Sequence, residues 1–538
     1  MHWHHIRPTI ATLTIVYIAG LLFLSGYAFR LIFVKGIYFQ TLAEENRVRT
    51  AYVAPKRGAI FDRHGEILLQ DVRKDDGSYE RRYMVSSAFS HLLGYVAVAD
   101  KTTAQQWLSR CGSQTGSSVS AFGRAGITGV EHSAECILHG MPGTLYTEVN
   151  AFESAKKALA MTPALEGDEV RLTIDRTLQQ KAFDSFDGIA GAAIVMDARS
   201  AEIRALVSSP TFDASAMGTD SRKVEEYLKN PQMPMFDRAL QGAYPPGSVF
   251  KMVVATAALE TGKVTPQEEI KDTGFRMIGT QKYTNWLYTE YGGRTDNNVN
   301  LVQSLKRSND IYYYEMGERL GGELLAQWAQ RFGYGSRTGI ELADVHGTVP
   351  SAYWKEENVN DKWFLGDTYN LSIGQGYLLS TPIQVAVMTQ IVASRGNHCT
   401  PTIFDLQTRE KLSDTERTCK KVPIRKETFD PIIEGMIEAC AMKGTAWPFF
   451  DVNSPREAST PAQFARYKNP PRIACKTGTA EHFVEGNEEP HGWLTLFAPA
   501  DNPRIVITVV AEKGGQGSDS AGPIARKILD EAKALGLW

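Results

Sequence analysis

Ser248 and Lys251 place a hydroxyl and an amine at a spacing that could support nucleophilic catalysis. They lie in the run Tyr244-Pro-Pro-Gly-Ser-Val-Phe-Lys251. The prolines and the glycine interrupt any preceding element, and the apolar residues 249–260 predict a helix that stops at Gly262. Residues three apart share one face of a helix, so the two side chains are expected to be neighbours. The hydroxyl has a base beside it only if burial or nearby positive charge lowers the pKa of the lysine.

This pattern alone is a weak signal, because any helix that opens with a capping serine and carries a solvated lysine matches it. Two later segments add further chemistry: Ser308-Asn-Asp310, 60 residues after Ser248, and Lys476-Thr-Gly-Thr479, 168 residues after Ser308. Ser308 by itself is also typical of a helix cap. If the last segment is a strand, the side chains at 477 and 479 share one face, and Gly478 lets another backbone approach closely.

The order of these three motifs resembles that of the serine β-lactamases and penicillin-binding proteins. The segment Lys56-Arg-Gly-Ala-Ile-Phe-Asp-Arg-His-Gly-Glu-Ile-Leu-Leu69 has two short apolar runs around a His-Gly turn and predicts a β-hairpin. It is also similar to the Arg-Gly-x-Ile-x-Asp-Arg-x-Gly opening of class B penicillin-binding proteins. The resemblance is dense from residue 170 to residue 538 and weaker before it. The Ser-x-Asp form of the second motif looks more like the elongation branch of this family than the division branch.

The resemblance implies a role for each motif residue. Ser248 would be the nucleophile, Lys251 its base, Ser308 a proton relay to the leaving amine, and Lys476 a source of positive charge. The substrate's terminal carboxylate would lie against Thr477, Gly478 and Thr479, and the backbone N–H groups of Ser248 and Thr479 would form the oxyanion hole. Asp310 stands where the family commonly has Asn. An ionised acid accepts a bond from the lysine but donates none, so Asp310 is expected to raise the pKa of Lys251.

One N-terminal segment is long and apolar enough to cross a bilayer. The stretch from Pro8 to Phe29 is 22 residues without a charge. A cleavable signal would have a shorter apolar core and a small-residue cleavage site, so we interpret the segment as a retained signal anchor, with a buried helix of a soluble protein as the alternative. Charges flank it almost evenly, at Arg7 before and at Arg30 and Lys35 after. The resemblance supplies the orientation, with a short cytoplasmic tail and an extracytoplasmic remainder.

The predicted organisation has a cytoplasmic tail (1–7), a transmembrane signal anchor (8–34), a non-catalytic pedestal (35–169) and a transpeptidase domain (170–538). Predicted strands at 191–197, 201–207 and 505–512, and a closing helix at 522–537, indicate an α+β fold whose sheet joins distant parts of the sequence. The resemblance implies the serine β-lactamase-like transpeptidase fold of penicillin-binding proteins. This domain would stand on a β-rich pedestal of the dimerisation type, with one N-terminal transmembrane helix.

Smaller features lead to local predictions in the hairpin and around the cleft. Asp62 and Arg63 are interpreted as a structural ion pair that fixes the hairpin. Gly374 to Gly376 could line the cleft or form a structural turn. Residues 252–307 contain neither His nor Cys. We therefore predict no metal site there, although the resemblance includes elongation-type relatives that bind zinc between the first two motifs.

The six cysteines have no Cys-x-x-Cys spacing typical of a zinc or redox site. Cys111 with Cys136, and Cys399 with Cys419, are close enough in sequence to pair in an oxidising compartment. Cys440 and Cys475 are interpreted as small buried apolar residues.

A net charge of −3 gives no reason to expect nucleic acid as a partner. The resemblance implies a peptidoglycan D,D-transpeptidase that cross-links stem peptides through a serine acyl-enzyme, needs no cofactor and is inhibited by β-lactams. It would serve cell elongation at the inner (cytoplasmic) membrane, with its catalytic domain in the periplasm. Its partner would be a polytopic glycan polymerase of the shape, elongation, division and sporulation family, since the chain before residue 170 has no room for a typical glycosyltransferase domain. A division-type enzyme, a β-lactamase or β-lactam sensor, and a non-catalytic scaffold remain alternatives.

Overall fold

The structure is a computed structural model of the 538-residue chain. It describes residues 6–39, 48–100, 102, 105, 107, 109, 111, 123–149, 155–412, 419–449, 452, 472–481, 483–484, 487–488 and 490–538. The first five residues of the expected cytoplasmic tail lie outside the described residues.

The N-terminal helix α1 spans Ile6–Phe29 and continues as a π-helical turn over Arg30–Val34. Within it, Ile10–Val34 has 25 residues and a mean hydropathy of 1.9, and its most apolar window is 0% buried against the rest of the described chain. A helix of this length extends about 37 Å, more than the roughly 30 Å hydrocarbon core of a bilayer. The exposed apolar surface favours a membrane span over the buried helix of a soluble protein.

Short strands and helices alternate between residues 48 and 171. They are β1 (Val48–Val53), β2 (Ile60–Phe61), β3 (Ile67–Arg73), β4 (Tyr79–Tyr83), α2 (Ser90–Leu93), β5 (Val96–Val98), β6 (Arg124–Gly126), α3 (Gly129–Ser133), α4 (Glu135–Leu138), β7 (Gly143–Val149), β8 (Ala155–Thr162) and β9 (Val170–Arg171). The strands form sheets in the orders β1-β7-β8, β4-β3-β2-β9 and β5-β6. This region is the β-rich pedestal that the resemblance implies.

The predicted hairpin is formed by β2 and β3, which pair antiparallel with Ile60 opposite Leu69. The ion pair predicted between Asp62 and Arg63 is wrong. Asp62 is buried, and its Oδ1 accepts the backbone N–H groups of His64 at 2.8 Å and Glu66 at 2.9 Å. A short aspartate side chain reaches the backbone two residues on more readily than the guanidinium of its own neighbour, so backbone hydrogen bonds fix this turn.

A buried charge cluster lies inside the pedestal. Glu131 accepts from Arg57 Nε and from Arg81 Nε, each at 2.6 Å, and Arg57 also donates to Glu135. Burial alone would raise the pKa of Glu131, but the two guanidinium groups outweigh it, and the pKa lies below its ordinary value. Glu131 is therefore ionised at neutral pH and its charge is matched inside the pedestal.

The larger C-terminal region begins after β9. Its helices are α5 (Arg176–Asp184), α6 (Ser221–Lys229), α7 (Lys251–Glu260), α8 (Trp286–Glu290), α9 (Leu301–Arg307), α10 (Asp310–Leu320), α11 (Gly322–Arg331), α12 (Ala352–Val359), α13 (Leu365–Ser372), α14 (Pro382–Ala393), α15 (Leu406–Lys411), α16 (Phe429–Ala439) and α17 (Ala521–Ala534). Its strands are β10 (Gly191–Asp197), β11 (Ile203–Ser209), β12 (Ile270–Lys271), β13 (Phe275–Ile278), β14 (Gln281–Thr284), β15 (Asn298–Val299), β16 (Asn397–Cys399), β17 (Cys419–Lys421), β18 (Ala474–Ala480), β19 (Phe483–Val484), β20 (Asn487–Glu488), β21 (His491–Ala498) and β22 (Ile505–Ala511).

The central sheet has the order β11-β10-β22-β21-β18, with every neighbouring pair antiparallel. It joins strands near residue 200 to strands near residue 500, so the predicted α+β fold is confirmed. Side chains alternate across it: Ile194 and Met196 pack in the core that includes α14, whereas Ala193 and Val195 pack with α5 and α17. Helices therefore cover both faces, and β18 is left at one edge.

Three disulfides are present among the described residues: Cys111–Cys136, Cys399–Cys419 and Cys440–Cys475. The first two are the pairings left open by the sequence. The interpretation of Cys440 and Cys475 as small buried apolar residues is right about burial, since both are fully buried, but wrong in leaving out the bond between them. Cys440 ends α16 and Cys475 lies on β18, 35 residues apart in sequence. Only the fold brings them together.

Candidate active site

Ser248 lies in a single 3₁₀ turn, Gly247–Phe250, that leads directly into α7. The predicted helix is thus present, but Ser248 precedes its α-helical part and Lys251 is the first α-helical residue. Gly247 has a φ of 57°, which favours glycine. Helix α7 is buried on every side from Lys251 to Leu259, as expected for a helix that carries apolar residues around nearly its whole circumference. The half-buried serine therefore sits at the mouth of a buried helix that carries the lysine inward.

Hydrogen bonds from separate segments to the backbone of residues 245 and 247 fix this turn. Gly247 N donates to Gly374 O at 2.8 Å, and Trp493 Nε1 on β21 donates to Pro245 O at 3.0 Å. A Cβ placed on Gly247 would lie 2.7 Å from Thr479 O and 3.4 Å from Thr479 N. The backbone of edge strand β18 therefore runs directly against the serine turn. This is the close approach that a pair of oxyanion-binding N–H groups needs.

The segment around Gly374 forms part of this frame. Beyond the bond to Gly247, the neighbouring Gln375 donates from Nε2 to Thr479 O at 3.1 Å. The segment therefore joins the serine turn to β18. Of the two interpretations of Gly374 to Gly376 offered by the sequence, these contacts favour a structural turn.

Lys251 binds oxygen atoms of the second motif. Its Nζ donates to Ser308 O at 2.8 Å, to Ser308 Oγ at 3.3 Å and to Asp310 Oδ1 at 2.6 Å. The motif lies between two helices: Ser308 ends α9 in the left-handed conformation, and Asn309 caps α10 by accepting from Tyr312 N at 3.0 Å. The helix-capping role considered for Ser308 thus belongs to Asn309, and the Ser308 hydroxyl is directed to the lysine.

Lys476 completes the cluster from β18. Its Nζ donates to Ser308 Oγ at 2.9 Å and to Thr477 O at 2.8 Å. Ser308 Oγ therefore lies between the two lysine nitrogens, each within hydrogen-bond distance. The structure brings together Lys251, Ser308, Asp310 and Lys476, and it places the Ser248 turn against the backbone at Thr479.

The electrostatics favour a neutral amine in this cluster. Burial lowers the pKa of Lys251, and the carboxylate of Asp310 offsets only part of that shift. Burial and then the positive charge of Lys251 lower the pKa of Lys476 well below its ordinary value. Both lysines are fully buried, and Asp310 is the one carboxylate among the groups that bind them. If both amines were protonated, one of the two positive charges would lack a counter-ion among these groups. An uncharged lysine next to a serine can act as a general base.

Sequence reasoning missed Thr445. The hydroxyl of Thr477 donates to Thr445 Oγ1 at 2.8 Å. Thr445 follows a tight turn after α16, where a Cβ on Gly444 would lie 2.3 Å from Ala439 O. Gly444 was a local signal for the end of a helix. The contact with the third motif depends on the packing of α16 beside β18 and leaves no trace in the sequence.

In the part of the chain that the structure describes, no group of three or more His, Cys, Asp and Glu side chains is arranged to hold a metal ion. The expectation that no metal lies between the first two motifs stays a prediction.

Comparison with protein families gives two matches. Residues 191–530 match the penicillin binding protein transpeptidase domain, and residues 76–172 match the penicillin-binding protein dimerisation domain. The first match covers well over half of the chain and includes all three motifs.

Named relatives and solved structures agree with these matches. The chain is 27% identical to the peptidoglycan D,D-transpeptidase MrdA of Haemophilus influenzae, over 97% of this chain and 92% of the relative. It is similar to the crystal structure of PBP2 from Pseudomonas aeruginosa, with 29% identity, a TM-score of 0.72, and coverage of 90% of this chain and 96% of the other. It is also similar to PBP2 of Helicobacter pylori in its complex with MreC, with 25% identity, a TM-score of 0.74, and coverage of 91% and 99%.

Proposed function

Because the chain belongs to the penicillin-binding protein transpeptidase family, we propose that it is a membrane-anchored peptidoglycan D,D-transpeptidase of the elongation type, with Ser248 as its nucleophile. The observation that carries the assignment of residues is the contact between Lys251, Ser308 and Lys476, which provides a base and a proton route beside the serine turn. Asp310 supports the elongation type, since the resemblance links the Ser-x-Asp form to that branch.

In the acylation step, neutral Lys251 accepts the proton of Ser248 Oγ while the oxygen attacks the carbonyl between the last two D-alanines of a stem peptide. The backbone N–H groups of Ser248 and Thr479 stabilise the oxyanion, a contribution of roughly 3 to 4 kcal/mol per donor in enzymes where it has been removed. The C–N bond then breaks. The terminal D-alanine leaves with a proton that passes from Lys251 through Ser308 Oγ to its amine. Lys476, Thr477 and Thr479 hold the terminal carboxylate, with Gly478 allowing close approach of the backbone.

In the second step, an amine from a neighbouring stem peptide attacks the ester carbonyl. Its proton returns along the same route, the C–O bond to Ser248 breaks, and the new amide is the cross-link. No cofactor enters either step. A β-lactam acylates the same serine, because its strained amide takes the place of the D-alanyl amide.

We further propose that the enzyme lies at the cytoplasmic membrane, with the catalytic domain on the outer, periplasmic side. Helix α1 supports the anchor, and the three disulfides support an oxidising compartment for the rest of the chain. Its partners are peptidoglycan stem peptides, a polytopic glycan polymerase, and a protein like the MreC that is bound to the Helicobacter pylori relative. Co-purification of the full chain from membranes with these two proteins tests the assignment.

The function is tested by labelling the full-length protein in membranes with a fluorescent penicillin and by incubating it with donor and acceptor stem peptides. The wild type is expected to form a stable labelled adduct and a cross-linked dimer, and Ser248→Ala to form neither. Rapid loss of label from the wild type would point instead to a β-lactamase. An unlabelled wild type that remains folded would point to a scaffold and would refute the proposal.

A further inference from the structure

One buried carboxylate outside the three motifs binds the second motif from behind. Asp272 follows β12 and is 2% exposed. Its Oδ1 accepts the N–H of Gly274 at 2.8 Å. Its Oδ2 accepts from Asn285 Nδ2 at 3.0 Å, from Asp296 N at 2.9 Å and from Asn309 Nδ2 at 2.8 Å. A single carboxylate thus joins separate turns of the segment between the first two motifs to the middle residue of the second motif.

Both amide side chains in this group continue to the second motif. Asn285 is fully buried, and its Oδ1 accepts the backbone N–H of Asp310 at 3.3 Å. Asn309 is also fully buried, and its Nδ2 donates to Asp296 Oδ2 at 3.2 Å as well as to Asp272. We call Asp272, Asn285, Asp296 and Asn309 the Asp272 network. The network binds the side chain of Asn309, directly after Ser308, and the backbone N–H of Asp310.

The turn that the network holds is one that does not form readily. Ser308 has φ 54° and ψ 39°, a left-handed conformation that is unfavourable for a residue with a Cβ and persists only where the surroundings impose it. In this conformation both Ser308 O and Ser308 Oγ lie within hydrogen-bond distance of Lys251 Nζ. A normal helical φ at Ser308 would redirect its carbonyl and its hydroxyl away from their present positions.

We propose that Asp272 is a positioning residue for the transpeptidase reaction: through Asn309 and Asn285 it imposes the left-handed turn at Ser308 and so sets the oxygen atoms that bind Lys251. This inference rests on the proposed function for its kinetic consequences, but the structural part of it does not. The charge of the carboxylate matters because four N–H donors converge on it, and a carboxamide has only one acceptor oxygen.

Two variants separate this role from general stability. Asp272→Asn preserves shape and removes acceptors. Asn309→Ser keeps a side-chain oxygen to cap α10 but removes the amide N–H that donates to Asp272, and the shorter side chain replaces it only with a hydroxyl nearer the backbone. Glu269→Gln is the matched control. Glu269 is exposed, and its carboxylate accepts from Asn298 Nδ2 on the neighbouring short strand at 3.3 Å, outside the Asp272 network. Each variant is prepared as the full chain in detergent and checked by thermal unfolding.

The kinetic measurement is the second-order rate constant of acylation by a fluorescent penicillin as a function of pH. Asp272→Asn and Asn309→Ser are expected to lower the plateau about 10-fold or more and to move the acid limb to lower pH, because Lys251 loses acceptors that favour its ammonium form. The double variant should be no worse than the worse single variant, since both remove one linkage. Glu269→Gln should match the wild type. The proposal would be overturned if the pH profile of the network variants kept its shape and only the fraction of active enzyme fell. It would also be overturned if the effects of the two substitutions on the acylation rate were additive in the double variant.

Hydrogen exchange of peptides covering residues 301–312 gives a second readout that does not depend on activity. Faster exchange in both network variants and unchanged exchange in Glu269→Gln are expected. Unchanged exchange in the network variants would overturn the proposal even if the enzyme carried out a different reaction. If Asp272→Asn does not fold, Asn309→Ser decides alone. A wild type that is not labelled by the fluorescent penicillin would instead refute the proposed function. The exchange result would still show whether the Asp272 network imposes the turn at Ser308.

Discussion

Removal of the Cys440–Cys475 disulfide is expected to weaken both the fold and the chemistry, because it joins α16 to β18 one residue before Lys476. Strand β18 is at the edge of the central sheet and pairs only with β21 within that sheet. The covalent bond to α16 is a further attachment of this strand, beside its contacts with the serine turn and with Gln375. Without it, Lys476 and the Thr479 backbone are expected to shift relative to Ser308 and the serine turn.

The magnitude follows from the loop that the bond closes. For a sequence separation of 35 residues, loop-closure entropy gives about 4 kcal/mol of stability at 25 °C. The Cys399–Cys419 bond has a separation of 20 residues, which gives about 3 kcal/mol. That second bond joins β16 to β17, a two-stranded sheet that contributes no side chain to the site described above. Replacing each pair by alanine therefore gives variants of similar predicted stability loss at different distances from the chemistry.

The assay combines thermal unfolding of the catalytic domain with the rate of acylation by a fluorescent penicillin, both measured on the folded protein at 20 °C or below. Cys440→Ala/Cys475→Ala is expected to acylate about 10-fold more slowly, which corresponds to about 1.4 kcal/mol in the barrier. Cys399→Ala/Cys419→Ala is expected to stay within about 2-fold of the wild type. Equal acylation rates in the two variants, at comparable losses of stability, would refute the claim that this bond positions β18.

Three further changes have defined outcomes. Asp310→Asn removes the negative charge that raises the pKa of both site lysines, so the acid limb of the acylation profile should move to lower pH; an unmoved limb would contradict this. Gly247→Ala forces a Cβ against Thr479 O and should lower acylation about 10-fold or more with a stability loss of roughly 1 to 2 kcal/mol, measured beside an exposed Gly262→Ala control. Glu131→Gln should cost the pedestal roughly 3 to 5 kcal/mol at neutral pH. Because the folded pKa of Glu131 is depressed, that difference is present above the ordinary carboxyl pKa of 4.5 and should vanish as pH falls through the folded pKa; a constant difference would contradict it.

Local patterns were sufficient to predict the helix after Ser248, the hairpin at Ile60 and Leu69, and the strands at 191–197 and near 505–511, because each depends on near neighbours in sequence. The second strand was placed two residues early. Ala201 has a positive φ of 57° and the strand starts at Ile203, so the turn is longer than the apolar run suggests. The grouping of the three motifs came from resemblance, since spacing alone does not bring residues 248, 308 and 476 together.

The errors have two physical causes, one local and one tertiary. Asp62 was assigned to its charged neighbour, but burial makes backbone N–H groups the more demanding partners, and these lie two and four residues away. The interpretation of Cys440 and Cys475 as small buried apolar residues is right about their burial and misses their pairing. Their pairing requires α16 and β18 to be adjacent, which is a property of the tertiary fold. Thr445 and Asp272 were missed for the same reason: each acts on a motif that is distant in sequence.

The two lysines of the site are not equivalent, and the difference bears on how the cluster works. Lys251 binds a carboxylate, whereas the bonds of Lys476 described here go to a hydroxyl and a carbonyl, both uncharged. Burial lowers the pKa of both lysines, but the ammonium form is better stabilised on Lys251 than on Lys476. When Lys251 is protonated, its proton has to move before it can accept that of Ser248, and Ser308 Oγ lies 3.3 Å from Lys251 Nζ and 2.9 Å from Lys476 Nζ. The serine of the second motif can thus pass a proton between the lysines as well as to the leaving group. The acid limb of the acylation profile therefore belongs to the coupled pair of Lys251 and Lys476 rather than to one residue.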